Sequence, residues 1–425
     1  MKFLVLTQYF PPEVGATQVR LASLCKELCR AGHTVEVVTG MPHHPTGKIF
    51  SAHRGRLYAR EHLYGATVHR VWLYPGNRSS IQRLLGYFSF ALMCLLGLAR
   101  AAQPDYLFVD SPPLFLGVSG WIAARLRRAR LIFNVADLWP DSARDLGVIR
   151  DGTSMRLGYM LERWIYRRAD FVTAVTEGIR ETLLTYKHVP AHKVLFLPNG
   201  VDTQLFAPRP PDQALKRRLG LAGKQVVLYA GNHGYAGAVE QVICAAFFLR
   251  ESPLIHFLLI GDGPEKDKIT EMADALGISN VSFHDSVPLE KLPAYISISD
   301  MALATLRKSR ITEGTRPAKV LVMMAAAKPQ AVAASGEAAA LVELAEAGVV
   351  APPEDSKALA EAIRAVLSDP EAAKKMGQKG RAFVKAHYEW SALVKNWLAQ
   401  LSGTTQAGEQ TPVPATRERR LHASP

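Results

Sequence analysis

Two short segments carry the residue types that hold phosphate. Gly15 stands just before the helical run Thr17–Arg30, and its missing side chain lets an anion approach the first backbone N–H groups of that helix. Further on, Arg316 and Pro317 precede Lys319; proline suits the first position of a helix, and the two cations flank its start. A helix N-terminus with one or two cations is enough to hold a diphosphate without metal. Neither signal is specific by itself, because Gly and Pro are ordinary punctuation before helices and Lys319 also reads as a surface lysine. The sequence has no Walker loop, no Gly-x-Gly-x-x-Gly and no Asp-x-Asp pair for a divalent cation.

The remaining polar candidates fall where apolar runs end. Strand-like runs are Phe3–Leu6, Thr34–Thr39, Thr67–Tyr74, Tyr106–Val109, Leu131–Val135 and Phe171–Val175, then Val226–Ala230, Ile255–Ile260, Val281–His284, Ala302–Ala304 and Gln330–Ala334. Amphipathic helical stretches alternate with them, so the chain reads as α/β with parallel sheets covered on both faces. Ligands of such sheets bind beyond the carboxyl ends of the strands. Those positions hold His43 and His44, Asp137, Asn232 and His233, the turn Gly261-Asp262-Gly263-Pro264, and the loop from Thr305 through Glu313 to Arg316. Two stacked domains pointing these loops into one cleft would suit a ligand with two ends.

The length of 425 residues calls for two domains. The expected organisation is an N-terminal domain over 1–190, a second over 191–385, a returning helix over 386–402 and a disordered tail over 403–425. Met1–Lys2 runs straight into Phe3–Leu6, too short for a signal core, and Cys25, Cys29, Cys94 and Cys244 show no zinc spacing, so a cytoplasmic location is expected. The net charge of +13 is uneven: residues 1–190 carry 24 Lys/Arg against 14 Asp/Glu, including Arg125, Arg127, Arg128, Arg130, Arg163, Arg167 and Arg168. Without interleaved aromatic platforms in the sequence, this excess suits an anionic membrane surface or a pyrophosphate-bearing acceptor better than nucleic acid. The uncharged run 84–99, bracketed by Arg83 and Arg100, is short for a span; it reads as a buried domain helix or as a segment lying in one leaflet.

The opening FLVLTQYFPPEVGATQVRLASLCKELCRAGHTVEVVTGMPHHPTGKIF, the loop NVADLWPDSARDLG, the junction LPNGVDTQLFAP, and YAGNHG, LLIGDGPEKDKI and GTRPAK with GEAAALVE together resemble the family 4 retaining glycosyltransferases. The likeness is strongest to the bacterial surface-polysaccharide and O-antigen branch, of the colanic-acid or fucosamine-transferase type, and it covers residues 1 to about 402. It implies a GT-B fold of two Rossmann-like domains facing a cleft, an N-terminal acceptor domain and a C-terminal donor domain for a nucleotide-diphosphate sugar, with a UDP-sugar favoured. By the same resemblance, Gly15, Asn232, His233, Glu313, Arg316, Lys319 and Glu337 bind the donor, and Asp137, Glu337 and Lys319 form the catalytic set. His43 and His44 face a lipid-linked or saccharide acceptor, and no metal or other cofactor is needed. Simpler roles stand beside these: Asp137 as a turn cap, the two histidines as loop surface, Glu337 as a helix-dipole partner.

The donor helix departs from the family pattern P-S-K-x-x-E-x-M-A. Serine is replaced by Ala318 and the glutamate expected on the nucleotide ribose by Val322, a loss of roughly 1–3 kcal/mol. Ala327 stands where glycine is usual, and Gln330 where an aliphatic residue is usual. These changes keep a second function class open, a non-catalytic scaffold of the same fold. A nucleotide-sugar epimerase is a third reading.

Overall fold

The structure, a computed structural model, describes residues 1–13, 15–44, 46–76, 80–141 and 152–403, with backbone only for Ser80, Arg310 and Ile311. Residues 404–425 of the expected tail over 403–425 and the last part of the Asp137 loop lie outside the described residues. By contact the chain forms two units, Met1–Asn199 with the helix Trp390–Leu401, and Gly200–Glu389.

The first unit has eight strands: β1 (Lys2–Leu6), β2 (Thr34–Gly40), β3 (Tyr58–Leu63), β4 (Ala66–Val71), β5 (Tyr106–Ser111), β6 (Arg130–Val135), β7 (Phe171–Ala174) and β8 (Val194–Phe196). Their order is β3-β4-β2-β1-β5-β6-β7-β8, and every neighbouring pair is parallel except β3 with β4. Strand β3 was not expected, because Arg60, Glu61 and His62 break its apolar pattern. It forms at the sheet edge through a two-residue turn in which Tyr64 (φ 53°) and Gly65 (φ 84°) both take the left-handed conformation that matches strand twist. Strand β8 pairs with β7, so this unit runs to Asn199 and not to 190.

The central strands are buried on both faces, which is why they read as continuous apolar runs. Phe3 and Val5 face one layer with Phe108, Leu21 and Leu24; Leu4 and Leu6 face the other with Phe90, Val109 and Phe133. The helix Trp390–Leu401 completes the first layer. Trp397 is fully buried against Phe3 and Phe108, and the Gln400 amide bonds both the N–H and the C=O of Phe196, closing the open edge of β8. The helix starts at Trp390, four residues after the expected 386, because Tyr388 C=O accepts the Val201 N–H and Glu389 accepts the Thr203 hydroxyl.

The uncharged run lies in the helix Ser80–Arg100. Phe90, Cys94 and Leu98 are buried against β2, β4 and the helix Leu116–Leu126, whereas Ile81, Leu84, Leu85, Phe88, Leu92 and Leu95 are exposed. Neither a wholly buried helix nor a free one results: one face is core and the opposite apolar face is bare.

The second unit has six parallel strands: β9 (Gln225–Ala230), β10 (Ile255–Ile260), β11 (Val281–His284), β12 (Met301–Thr305), β13 (Gln330–Ala333) and β14 (Gly348–Ala351). The order is β11-β10-β9-β12-β13-β14. The edge strand β14 was not expected; four residues beginning with glycine carry no readable period. In both units the chain reverses its direction of growth beside the first strand, between β1 and β5 and between β9 and β12, the crevice position for ligands in such sheets.

Candidate functional site

In the second unit, two glycine turns interlock beyond β9 and β10. A Cβ at Gly261 would lie 1.9 Å from the Gly231 carbonyl oxygen, and one at Gly263 would lie 2.4 Å from Asn232 Oδ1, so only glycine permits this crossing. Backbone bonds secure it: Gly231 N–H to the Ile260 carbonyl (2.9 Å), His233 N–H to Asp262 (2.9 Å) and Glu265 N–H to His233 (3.0 Å). The turn thereby buries His233 completely, and neither ring nitrogen has a hydrogen-bond partner among the described residues. Burial, with the charges of Lys319 and Lys266, pushes its pKa down to about 4, so the ring is neutral at physiological pH.

Lys319 reaches the same turn from the start of the helix Ala318–Ala325. Its Nζ lies 3.6 Å from the centroid of the Tyr229 ring, and a Cβ at Gly231 would sit 3.1 Å from it. No carboxylate pairs with it among the described residues, and burial lowers its pKa to about 7. A cation held against a π face and desolvated, with no anion beside it, has unspent capacity for one.

The other donor-side candidates make contacts of their own. Gly336 (φ 70°) caps the helix Glu337–Leu344 and touches Glu313, whose carbonyl oxygen would lie 2.0 Å from a Cβ there; the Glu313 residue is exposed and Glu337 is buried in the first helical turn. Arg316 is buried, its Nη1 donating to the Tyr388 hydroxyl at 3.0 Å with the guanidinium 4.8 Å over that ring. Val322 packs against the main apolar cluster of this unit. Gln330 is buried but satisfied, donating to the Val320 carbonyl at 2.9 Å. Ala327 has φ 54°, the conformation that makes glycine usual there.

In the first unit the loops after β1 and β2 meet. Glu13 is buried beneath them, its Oε1 accepting the backbone N–H groups of His43 and His44 at 2.9 Å each, with the Phe10 N–H at 3.4 Å from Oε2. Burial outweighs these bonds and pushes its pKa up to about 7. Tyr9 stacks on His43 (centroids 5.6 Å apart) and meets His44 edge-on at 5.9 Å. His43 is buried, its Nδ1 3.0 Å from the Met41 carbonyl, and His44 is exposed. Gly15 opens the helix Ala16–Arg30; a Cβ there would strike the Gln18 side chain. Asp137 follows β6, its carbonyl accepting the Trp139 N–H at 3.0 Å. Beneath the crevice Asp110 binds Arg20 (2.6 Å) and Asn134 (2.7 Å), a buried polar brace.

Of the residues singled out in the sequence, Lys319, Asn232 and His233 come together in the fold, and separately so do His43 and His44. Sequence reasoning passed over Tyr229 and Glu13. Tyr229 looked like one more apolar strand residue; the signal for Glu13 was a carboxylate inside an otherwise uncharged Pro-Pro-x-x-Gly turn.

Residues 15–200 match the family profile of the glycosyl transferase 4-like domain, and residues 212–383 that of glycosyl transferases group 1. The chain is 30% identical over 335 residues to the putative colanic acid biosynthesis glycosyl transferase WcaI of Escherichia coli, covering 76% of this chain and 81% of that one. It is 26% identical over 333 residues to the GDP-mannose-dependent alpha-(1-6)-phosphatidylinositol monomannoside mannosyltransferase of Mycolicibacterium smegmatis, covering 72% and 87%. Among solved structures, Anabaena HepE in complex with UDP and glucose superposes with a TM-score of 0.72 at 19% identity, covering 95% of this chain and 100% of that one.

Proposed function

Because the chain belongs to the glycosyltransferase 4-like, group 1 family of glycosyltransferases and has the GT-B fold, we propose that it moves a sugar, with retention, from a nucleotide-diphosphate sugar to a lipid-linked or saccharide precursor of a surface polysaccharide. The observation that carries this reading is Lys319, a desolvated cation against Tyr229 and the Gly231 turn; it would pair with the donor diphosphate. Asn232 and His233 border the same phosphates, Glu313 and Arg316 shape the donor loop, and Glu337 orients the sugar; Gly15 and Asp137 keep the roles that the family resemblance implies. His43 and His44, set on Glu13, contact the acceptor. A uridine donor is favoured, in keeping with the UDP held by HepE; a guanosine donor, as in the mannosyltransferase relative, comes second.

In this mechanism the acceptor oxygen bonds to the anomeric carbon as the bond to the donor phosphate breaks. The departing phosphate oxygen takes the acceptor proton on the same face, so no protein nucleophile is required. Lys319 and helix N-terminal amides stabilise the charge growing on the diphosphate, a task otherwise given to a metal ion. The enzyme works at the cytoplasmic side of the membrane as a peripheral protein, with the bare face of the helix Ser80–Arg100 against one leaflet. That helix is the one in the described residues long and apolar enough to cross a bilayer, but its opposite face is fixed in the core. The relatives do not favour the scaffold reading.

Purified protein incubated with UDP-sugars and a lipid-linked acceptor is expected to give a glycoside whose anomeric configuration, read by NMR, equals that of the donor. An inverted product refutes retention. Absence of both transfer and donor hydrolysis, with no nucleotide sugar raising the melting temperature, refutes the transferase reading.

A further inference from the structure

At the end of the first unit's sheet opposite the His43 loop lies an open cavity of about 730 Å3. Its wall comes from the C-terminal ends of the helices Leu116–Leu126 and Thr153–Arg168 and from the starts of β6, β7 and β8. Arg125, Arg128, Arg130, Arg167 and Arg168 line it, and none has a carboxylate partner among the described residues. The one acid in the wall, Asp170, already accepts the Leu131 N–H at 2.8 Å. Lys193 is committed too, donating to the carbonyls of Ala169 (2.8 Å) and Arg167 (3.2 Å). Five guanidinium groups around one cavity repel each other, and a bound polyanion relieves that repulsion.

The surroundings say which polyanion. Trp121 and Trp164 meet edge to face with centroids 5.1 Å apart, and Arg168 lies over both rings at 5.5 and 5.9 Å. The sequence showed no interleaved aromatic platforms beside these arginines; the fold supplies one indole pair, set edge to face and not as a row of platforms on which successive bases would stack. With Arg168 the pair resembles the aromatic and arginine belt of a membrane interface. Apolar side chains continue from the cavity rim: Leu126, 80% exposed, and Ile122 on the first helix, then Leu157 and Met160 on the second. The helix Leu116–Leu126 packs on Ser80–Arg100, whose exposed Ile81, Leu85 and Leu92 extend the patch. Exposed apolar side chains on the helices that wall and adjoin a cationic cavity suit an anionic bilayer and not a free, hydrated ion.

We propose that this cavity binds the phosphate headgroups of anionic phospholipids, with the adjoining apolar side chains seated among the acyl chains of one leaflet. The site deepens the peripheral-membrane part of the functional reading and is independent of sugar transfer.

Flotation of the full chain with phosphatidylcholine vesicles, with and without phosphatidylglycerol, tests it. The parent is expected to float with the anionic vesicles at low salt, and its tryptophan emission to shift to the blue. R125A/R128A/R167A, folded by its melting curve and binding UDP as the parent does, is expected to lose on the order of 100-fold in partitioning, about fivefold per arginine. L85S/L92S is expected to lose binding at all salt concentrations. If the arginine variant partitions like the parent while L85S/L92S does not, the headgroup site is overturned and the membrane reading stands. If the parent floats with no vesicle yet transfers sugar, both membrane statements fall and the transferase stands. Capture by single-stranded RNA in place of vesicles overturns the lipid assignment. So does stabilisation of the parent, but not the arginine variant, by free glycerol phosphate without flotation.

Discussion

The ammonium of Lys319 lies 3.6 Å from the centroid of the Tyr229 ring, and burial holds its pKa at about 7, far below that of a free lysine. A diphosphate beside it would favour the charged form and raise that pKa. Nucleotide affinity is therefore expected to be flat below pH 7 and to fall above it, by up to tenfold per pH unit, with proton uptake on binding. Lys319→Met should weaken UDP binding about 10- to 100-fold, the worth of a charge-assisted bond, and abolish the pH dependence. Calorimetry in two buffers of different ionisation enthalpy measures both; an unchanged affinity in Lys319→Met contradicts the assignment.

Glu13 holds the His43 loop by two backbone bonds and has a pKa of about 7. Its folded-state pKa exceeds the unfolded one, so between about pH 4.5 and 7 the native state keeps a proton that the unfolded chain has lost. Stability from this group is present below that window and declines as pH rises through it, by up to about 3 kcal/mol. Glu13→Gln, which keeps an acceptor oxygen, should flatten that slope in denaturant titrations. Glu13→Ala should cost about 3 kcal/mol by stranding two N–H groups. Equal slopes in the parent and Glu13→Gln would show that the carboxyl is ionised throughout.

Ala327 sits at φ 54°, where a Cβ is strained. Ala327→Gly is expected to stabilise the second unit by about 1 kcal/mol, raising its melting temperature by about 2–4 °C. A lower melting temperature would mean that the lost chain entropy outweighs the relieved strain.

Val322, three residues beyond Lys319 on the same helix, packs on the apolar cluster at the position where the family resemblance implies a ribose-binding glutamate. Val322→Glu is expected to tighten UDP binding about 10- to 100-fold, with no gain for pyrophosphate, which has no ribose. Equal affinity for UDP in both proteins removes the ribose assignment.

The parallel α/β plan was legible because central strands buried on both faces leave uninterrupted apolar runs between amphipathic helices. The edges were not. Tyr58–Leu63 has one wet face and charges along it, and Gly348–Ala351 is too short to show a period. Their pairing is decided by a turn and by neighbouring strands. The glycines of the Gly231 and Gly261–Gly263 loops marked ligand-side turns, but not that these turns would cross and leave both His233 ring nitrogens buried with no hydrogen-bond partner among the described residues. That Arg316 stacks on Tyr388, 72 positions away, was not legible, because it depends on tertiary contact that local spacing does not encode.

Everything about the chemistry rests on where the diphosphate sits. A crystal structure with bound UDP measures this directly. A phosphate oxygen is expected within hydrogen-bond distance of Lys319 Nζ, with the phosphates beside the Asn232–His233 turn. Electron density that places the diphosphate away from Lys319, with the ammonium still facing Tyr229 alone, would contradict it.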